Sequence, residues 1–168
     1  SNFINRADTW SSDQFRLVWN SDFNANGVFS TNAAGHFYPE FYDLDHAEVS
    51  NTGHSLQDYQ QAIVDKTLDE IAEYENVYFE VSNEFLFPNT QADVDAHHGW
   101  QQHWASYIRD RAPERLVGVM AHAGSGAHTR GIEYWWNETY IDIMNFHLYE
   151  YDPNVIGSVL HDAQTRDK

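Results

Sequence analysis

The clearest pattern in the chain lies between residues 55 and 75. Leu56, Tyr59, Ile63, Thr67, Ile71 and Tyr74 recur at steps of three and four, the spacing that places residues along one stripe of a helix. Ser55 with Asp58 three residues later is a variant of the capping box, so the helix is expected to start at Leu56. It should run to about Glu75, with Asn76 as its stop. The pattern then changes at once. Residues 77–81 (VYFEV) are short, rich in β-formers and not cleanly alternating, as expected of a strand buried on both faces of a parallel sheet.

The same alternation continues downstream. A second helix is expected over about residues 92–111, with Trp100, Trp104, Tyr107 and Ile108 on one side and Pro113 beyond its end. Residues 116–120 (LVGVM) read as the next buried strand, and residues 124–131 as a loop of Gly, Ser and His. A short helical piece around residues 132–136 precedes a third strand at residues 141–147 (IDIMNFH). Asp152 and Pro153 open a last helix, because proline suits the first helical position. The first 54 residues are different in kind. Residues 15–19 (FRLVW) are a candidate strand, and residues 20–35 read as a long loop that includes Asn20, Asn24 and Asn26. Strands alternating with helices imply parallel pairing, hence an α/β protein. A (β/α)8 barrel and an open doubly wound sheet both fit. No glycine-rich phosphate fingerprint follows a strand, so the barrel is preferred.

Composition narrows the chemistry. There are 26 Asp and Glu against 9 Lys and Arg, a formal charge of −17. Such a surface repels phosphate backbones, so nucleic acid is not an expected partner. With no cysteine, disulfides, thiol catalysis and cysteine-ligated zinc are excluded. No apolar run approaches the ~20 residues that span a bilayer, so no membrane partner is expected. Aromatic residues make up 15% of the chain, which suits both a packed core and a carbohydrate cleft. The acidic, lysine-poor composition favours a secreted or extracellular setting.

In parallel α/β folds functional groups collect at the carboxyl ends of strands. The first strand ends in Ser82, Asn83 and Glu84; the second ends in His122; the third ends in Asn145, His147 and Tyr149. A glutamate placed directly after an apolar strand is costly unless it is paired or working. Among aromatics its pKa would rise, and it could stay protonated as a general acid. His97, His98 and His103 lack the i, i+4 pairing of a zinc helix, and no HExxH motif occurs, so no metal or other cofactor is expected. Asp43, Asp45 and Glu48 lack the ligand pattern of a calcium loop and read as a solvated cluster. Trp135 and Trp136 would point roughly 100° apart on a helix. Trp135 is therefore either a sugar-stacking platform or an interface-packing residue.

A strand closing in Asn-Glu, followed downstream by a strand closing in His-x-Tyr, resembles the clan A glycoside hydrolases, especially their cellulase-type (family 5) group. Residues 56–84 resemble the third helix and fourth strand of these barrels in character, and the likeness continues more loosely to Tyr149. What the resemblance implies is a partial (β/α)8 (TIM) barrel with only its central strands and helices. Residues 1–54 would be an irregular, loop-rich segment and residues 55–168 would be βα repeats. It implies Glu84 as the acid/base of a retaining O-glycosidase acting on a β-linked polysaccharide or oligosaccharide. Asn83 would hold the sugar 2-hydroxyl, and His147 and Tyr149 would orient the carboxylates and touch substrate. The second glutamate, the nucleophile, belongs one strand beyond His147. Glu150 is too close to His147 to fill that place. A whole barrel takes about 250 residues. The expectation is thus a barrel fragment, inactive alone, whose nucleophile lies outside the chain. The alternative is a non-catalytic carbohydrate-binding remnant of such a barrel.

Overall fold

The computed structural model describes residues 39–46, 49–82, 91–123, 135, 137–148, 153–154, 156–158 and 161. The expected strand at residues 15–19 and the loop at residues 20–35 lie outside them. The described elements are α1 (Pro39–Tyr42), α2 (Leu56–Ile71), β1 (Phe79–Glu80), α3 (Gln91–Arg111), β2 (Val117–Ala123) and β3 (Ile143–Leu148). Past β3, Pro153, Asn154, residues 156–158 and His161 are helical, where the last helix was expected.

The three strands make one parallel sheet in the order β1-β2-β3. Parallel neighbours need a crossover, and α3 supplies it between β1 and β2. The described architecture is therefore α/β with sequential parallel strands. A barrel segment and one half of a doubly wound sheet share that order, and the described residues do not include a closed barrel. The register pairs Glu80 with Gly118, Gly118 with Ile143 and Met120 with Asn145, which puts these five residues on one face. Phe79, Val117, Val119, Ala121 and Met144 fall on the other face, which is wholly apolar.

The start of α2 is as its sequence predicts. The Ser55 hydroxyl accepts from the Asp58 N–H at 3.1 Å, while the Asp58 carboxylate accepts from the Ser55 N–H at 2.7 Å. Two of the orphan donors at the helix end are satisfied reciprocally. The other end comes earlier than expected, at Ile71 rather than Glu75. There the Arg115 guanidinium donates to the carbonyls of Ala72 and Tyr74, a cationic side chain closing the helix carboxyl end.

The buried stripe of α2 is rotated from the one the apolar spacing predicts. Leu56, Gln60, Val64 and Leu68 are buried, whereas Thr67 and Tyr74 are exposed. Tyr59 and Ile63 flank the buried row. The buried row follows Leu56, Val64 and Leu68 and includes Gln60, which apolar periodicity discounts. Its amide donates to the Phe41 carbonyl at 2.9 Å and accepts from the Trp100 indole N–H at 3.0 Å, so it sits in the core with its polar atoms satisfied. In α3 the expected side is the buried one: Trp100, Trp104 and Ile108 belong to the core and Tyr107 packs against it. Gln60 meets Trp100, Asp65 meets Tyr107, and both Asp65 and Asp69 meet Arg111. These contacts advance along both helices in the same direction, so α2 and α3 run parallel.

A clamp fixes the strand starts. Arg109 of α3 donates to the Tyr140 and Pro113 carbonyls and pairs with the Asp142 carboxylate, which also accepts from the Val117 N–H at 2.8 Å. The crossover, the start of β2 and the approach to β3 are thereby tied to one guanidinium.

Candidate functional site at the strand ends

The strand that leads to Asn83 and Glu84 is shorter than expected. Phe79 N–H donates to the Leu116 carbonyl and Val81 N–H donates to the Gly118 carbonyl, both at 3.0 Å. Even-numbered carbonyls of β2 thus face β1, and Met120 is the next in that row. Its partner is a side chain. Gln101 of α3 donates its amide to the Met120 carbonyl at 3.1 Å and accepts the Met120 N–H at 2.9 Å. The carboxamide has the donor and acceptor of a peptide group, and it stands where a longer β1 would have paired.

Ser82, the last described residue before Asn83, is held by the same helix. Its hydroxyl lies 3.1 Å from His97 Nε2, and the two residues are 3% and 0% exposed. The His97 ring meets the edge of Tyr42 and stacks on Trp100, with centroids 5.0 and 6.2 Å apart. A serine beside a histidine can serve as an activated nucleophile. Burial this complete leaves a substrate no approach, so the pair acts as an anchor for the chain.

Across the sheet, the Asn145 amide donates to the Glu80 carboxylate at 2.6 Å, reaching over β2 on the face that also carries Gly118, Met120 and Ile143. This is a polar pair on a surface that flanking apolar residues would otherwise make featureless. His147 is the penultimate residue of β3, in register with His122, the penultimate residue of β2. Asn83, Glu84 and Tyr149 lie outside the described residues.

Trp135 is 1% exposed, and the ring of His98 packs with it edge to face at 5.3 Å. A sugar platform needs an open ring face. The burial favours the packing role for Trp135 over the stacking one. His98 is itself buried, and desolvation pushes its pKa down to about 4 against a smaller opposing pull from Asp95. It is neutral at pH 7. Burial also raises the Tyr140 phenol to about 12.

Among the described residues no group of three His, Cys, Asp or Glu is placed to hold a metal ion. No described helix is long and apolar enough to cross a membrane. Sequence reasoning flagged Ser82 and Asn145 as strand-end polar groups but missed the roles of His97, Gln101 and Glu80. One signal could have found two of them: His97 and Gln101 stand four apart on the face of α3 that carries Trp100 and Trp104, where a polar residue must be satisfied to be buried. Comparison with protein-family models, curated proteins and solved structures gave no match.

Proposed function

We propose that the chain carries the acid/base half of a retaining β-glycosidase site, with Glu84 as the proton donor. The observation that supports this reading most is the sheet. β1, β2 and β3 are parallel and sequential, and β1 ends four residues before Glu84 in the sequence, at the sheet edge where parallel strands bring functional groups together. His147 lies one residue before the end of β3, in register with His122 of β2.

In the proposed reaction Glu84 gives its proton to the glycosidic oxygen as the bond from that oxygen to the anomeric carbon breaks. A second carboxylate, which the resemblance puts on a strand beyond His147, attacks the anomeric carbon and forms a glycosyl-enzyme. Glu84, now a carboxylate, takes a proton from the water that releases the sugar. Asn83 holds the 2-hydroxyl, and His147 and Tyr149 orient the two carboxyl groups.

Aryl β-glycosides with a graded series of leaving groups test the assignment. Glu84→Gln should lower kcat/KM by about 10²–10⁴-fold on poor leaving groups and far less on dinitrophenyl glycosides, which need no proton. A variant within about threefold of the parent on poor leaving groups would overturn it. A protein that turns over none of the series but is retained by a β-linked polysaccharide gel would instead support the non-catalytic carbohydrate-binding reading.

A further inference from the structure

We infer that His97 and Gln101 are positioning residues that fix the chain at Ser82, two residues before Glu84; this rests on the reading of Glu84 given above. The two residues are one helical turn apart on α3 and buried; Gln101 holds β2 and His97 holds Ser82 just past β1. Gln101 satisfies the β1-facing edge of Met120 with both atoms of its amide. His97 holds the Ser82 hydroxyl. Together they do what two more residues of β1 would have done, but with a different geometry.

Had β1 continued in register, the residue after Val81 would run beside Gly118–Met120, and the Met120 amide and carbonyl would bond to backbone. The carboxamide of Gln101 fills that position, so β1 cannot continue along β2 beyond Val81. The chain is instead tied to α3 through Ser82. Neither tie has freedom to drift. The His97 ring is wedged between Tyr42 and Trp100, and Trp100 is pinned in turn by its N–H bond to Gln60. Rigid support of this kind is what a general acid needs, because displacement of about 1 Å at a proton-transfer group can cost 10²-fold in rate.

The test uses the full chain with Gln101→Leu, which keeps the bulk but loses both bonds to Met120, and His97→Phe, which keeps the ring packing but loses the bond to Ser82. Gln102→Leu, one residue away and exposed, is the control. Two readouts are taken. Carbon-detected titration of the Glu84 carboxyl and amide hydrogen exchange at Ser82 and Met120 report position without turnover. The series of aryl glycosides reports acid assistance. Both variants should accelerate exchange at Ser82 or Met120 by about tenfold or more and move the Glu84 titration by about half a pH unit or more. They should also lower kcat on poor leaving groups by about 10- to 100-fold, with KM little changed and dinitrophenyl glycosides spared. Gln102→Leu should change none of these. Faster exchange with an unmoved Glu84 titration would overturn the positioning role. A chain with no glycosidase activity would overturn the reading of Glu84 alone, since the titration and exchange arms still decide whether the two residues fix the segment.

Discussion

Replacing Gln60 with leucine tests whether a buried amide, rather than an apolar stripe, sets the angle of α2. Gln60 is fully enclosed, and its two polar atoms are matched to the Phe41 carbonyl and the Trp100 N–H. Leucine is close in volume and keeps the packing, but it removes the donor to one buried group and the acceptor from another. Leaving a buried donor or acceptor unsatisfied costs about 1–3 kcal/mol each, so the two together cost about 2–6 kcal/mol. The extra apolar surface of leucine returns about 1 kcal/mol. The expected loss is about 1–5 kcal/mol, a fall of roughly 2–20 °C in Tm for a chain of this size.

Urea unfolding followed by far-ultraviolet circular dichroism measures it, and the same experiment on Trp100→Phe and on the double variant closes a cycle. Trp100→Phe strands the Gln60 oxygen and leaves a gap beside Phe41, whose ring centroid is 5.4 Å from that of Trp100. Once Gln60 is gone, the second substitution no longer breaks a hydrogen bond. The double variant should therefore lose less than the sum of the singles, by about 1 kcal/mol or more. A Gln60→Leu protein within about 0.5 kcal/mol of the parent, or strict additivity in the cycle, would refute the reasoning and return α2 to packing by hydrophobic pattern alone.

Two further outcomes follow from the titrating groups. His98 falls from 6.5 to about 4 because burial disfavours its charged form, so the unfolded chain binds the proton more readily between those values. Stability should be complete above about pH 6.5 and decline as the pH drops toward about 4, by about 3 kcal/mol from this group. His98→Gln should flatten that part of the urea midpoint profile, and an unchanged profile would remove His98 from the acid limb. At the start of α2, the Ser55 backbone N–H and then its hydroxyl hold the Asp58 carboxyl below 3.8, against slight desolvation and with a weak pull from His54. The stability this contributes is present above about 3.8 and is lost as the pH falls through the lower folded value. Ser55→Ala should cost about 0.5–2 kcal/mol at neutral pH, read from the same urea curves, and no measurable loss would show that the cap is dispensable.

The elements were legible where local chemistry decides them. Ser55 and Asp58 announce a helix start by themselves, and the Trp100–Ile108 side of α3 is apolar enough to read directly. β2 and β3 were legible as short runs rich in apolar residues that follow helical segments. What was not legible depends on partners distant in sequence. The burial of Gln60 needs Phe41 and Trp100, and the early end of α2 needs Arg115. That β1 does not extend past Val81 needs Gln101, whose amide takes up the backbone groups of Met120. Trp135 shows the same limit, because its adjacency to Trp136 says only that the two diverge.

The polar residues that sequence patterns discount share one arrangement. Gln60, His97 and Gln101 all lie on helix faces that otherwise carry Trp, Val and Leu, and each has its side-chain hydrogen bond to a group far away in the chain. An apolar face packs adequately at several rotations, because burial is not directional. A hydrogen bond is directional, so each of these residues selects one rotation and one strand register from those that burial alone would permit. Gln60 fixes α2 against α3 through Trp100, and the same indole stacks on His97, which anchors Ser82. One path of matched polar groups thus runs from α1 and α2, through Trp100 and His97, to the end of β1. The precision that an acid at Glu84 would require is built from glutamine and histidine in the core, and a substitution at Gln60 should be felt two residues before that glutamate.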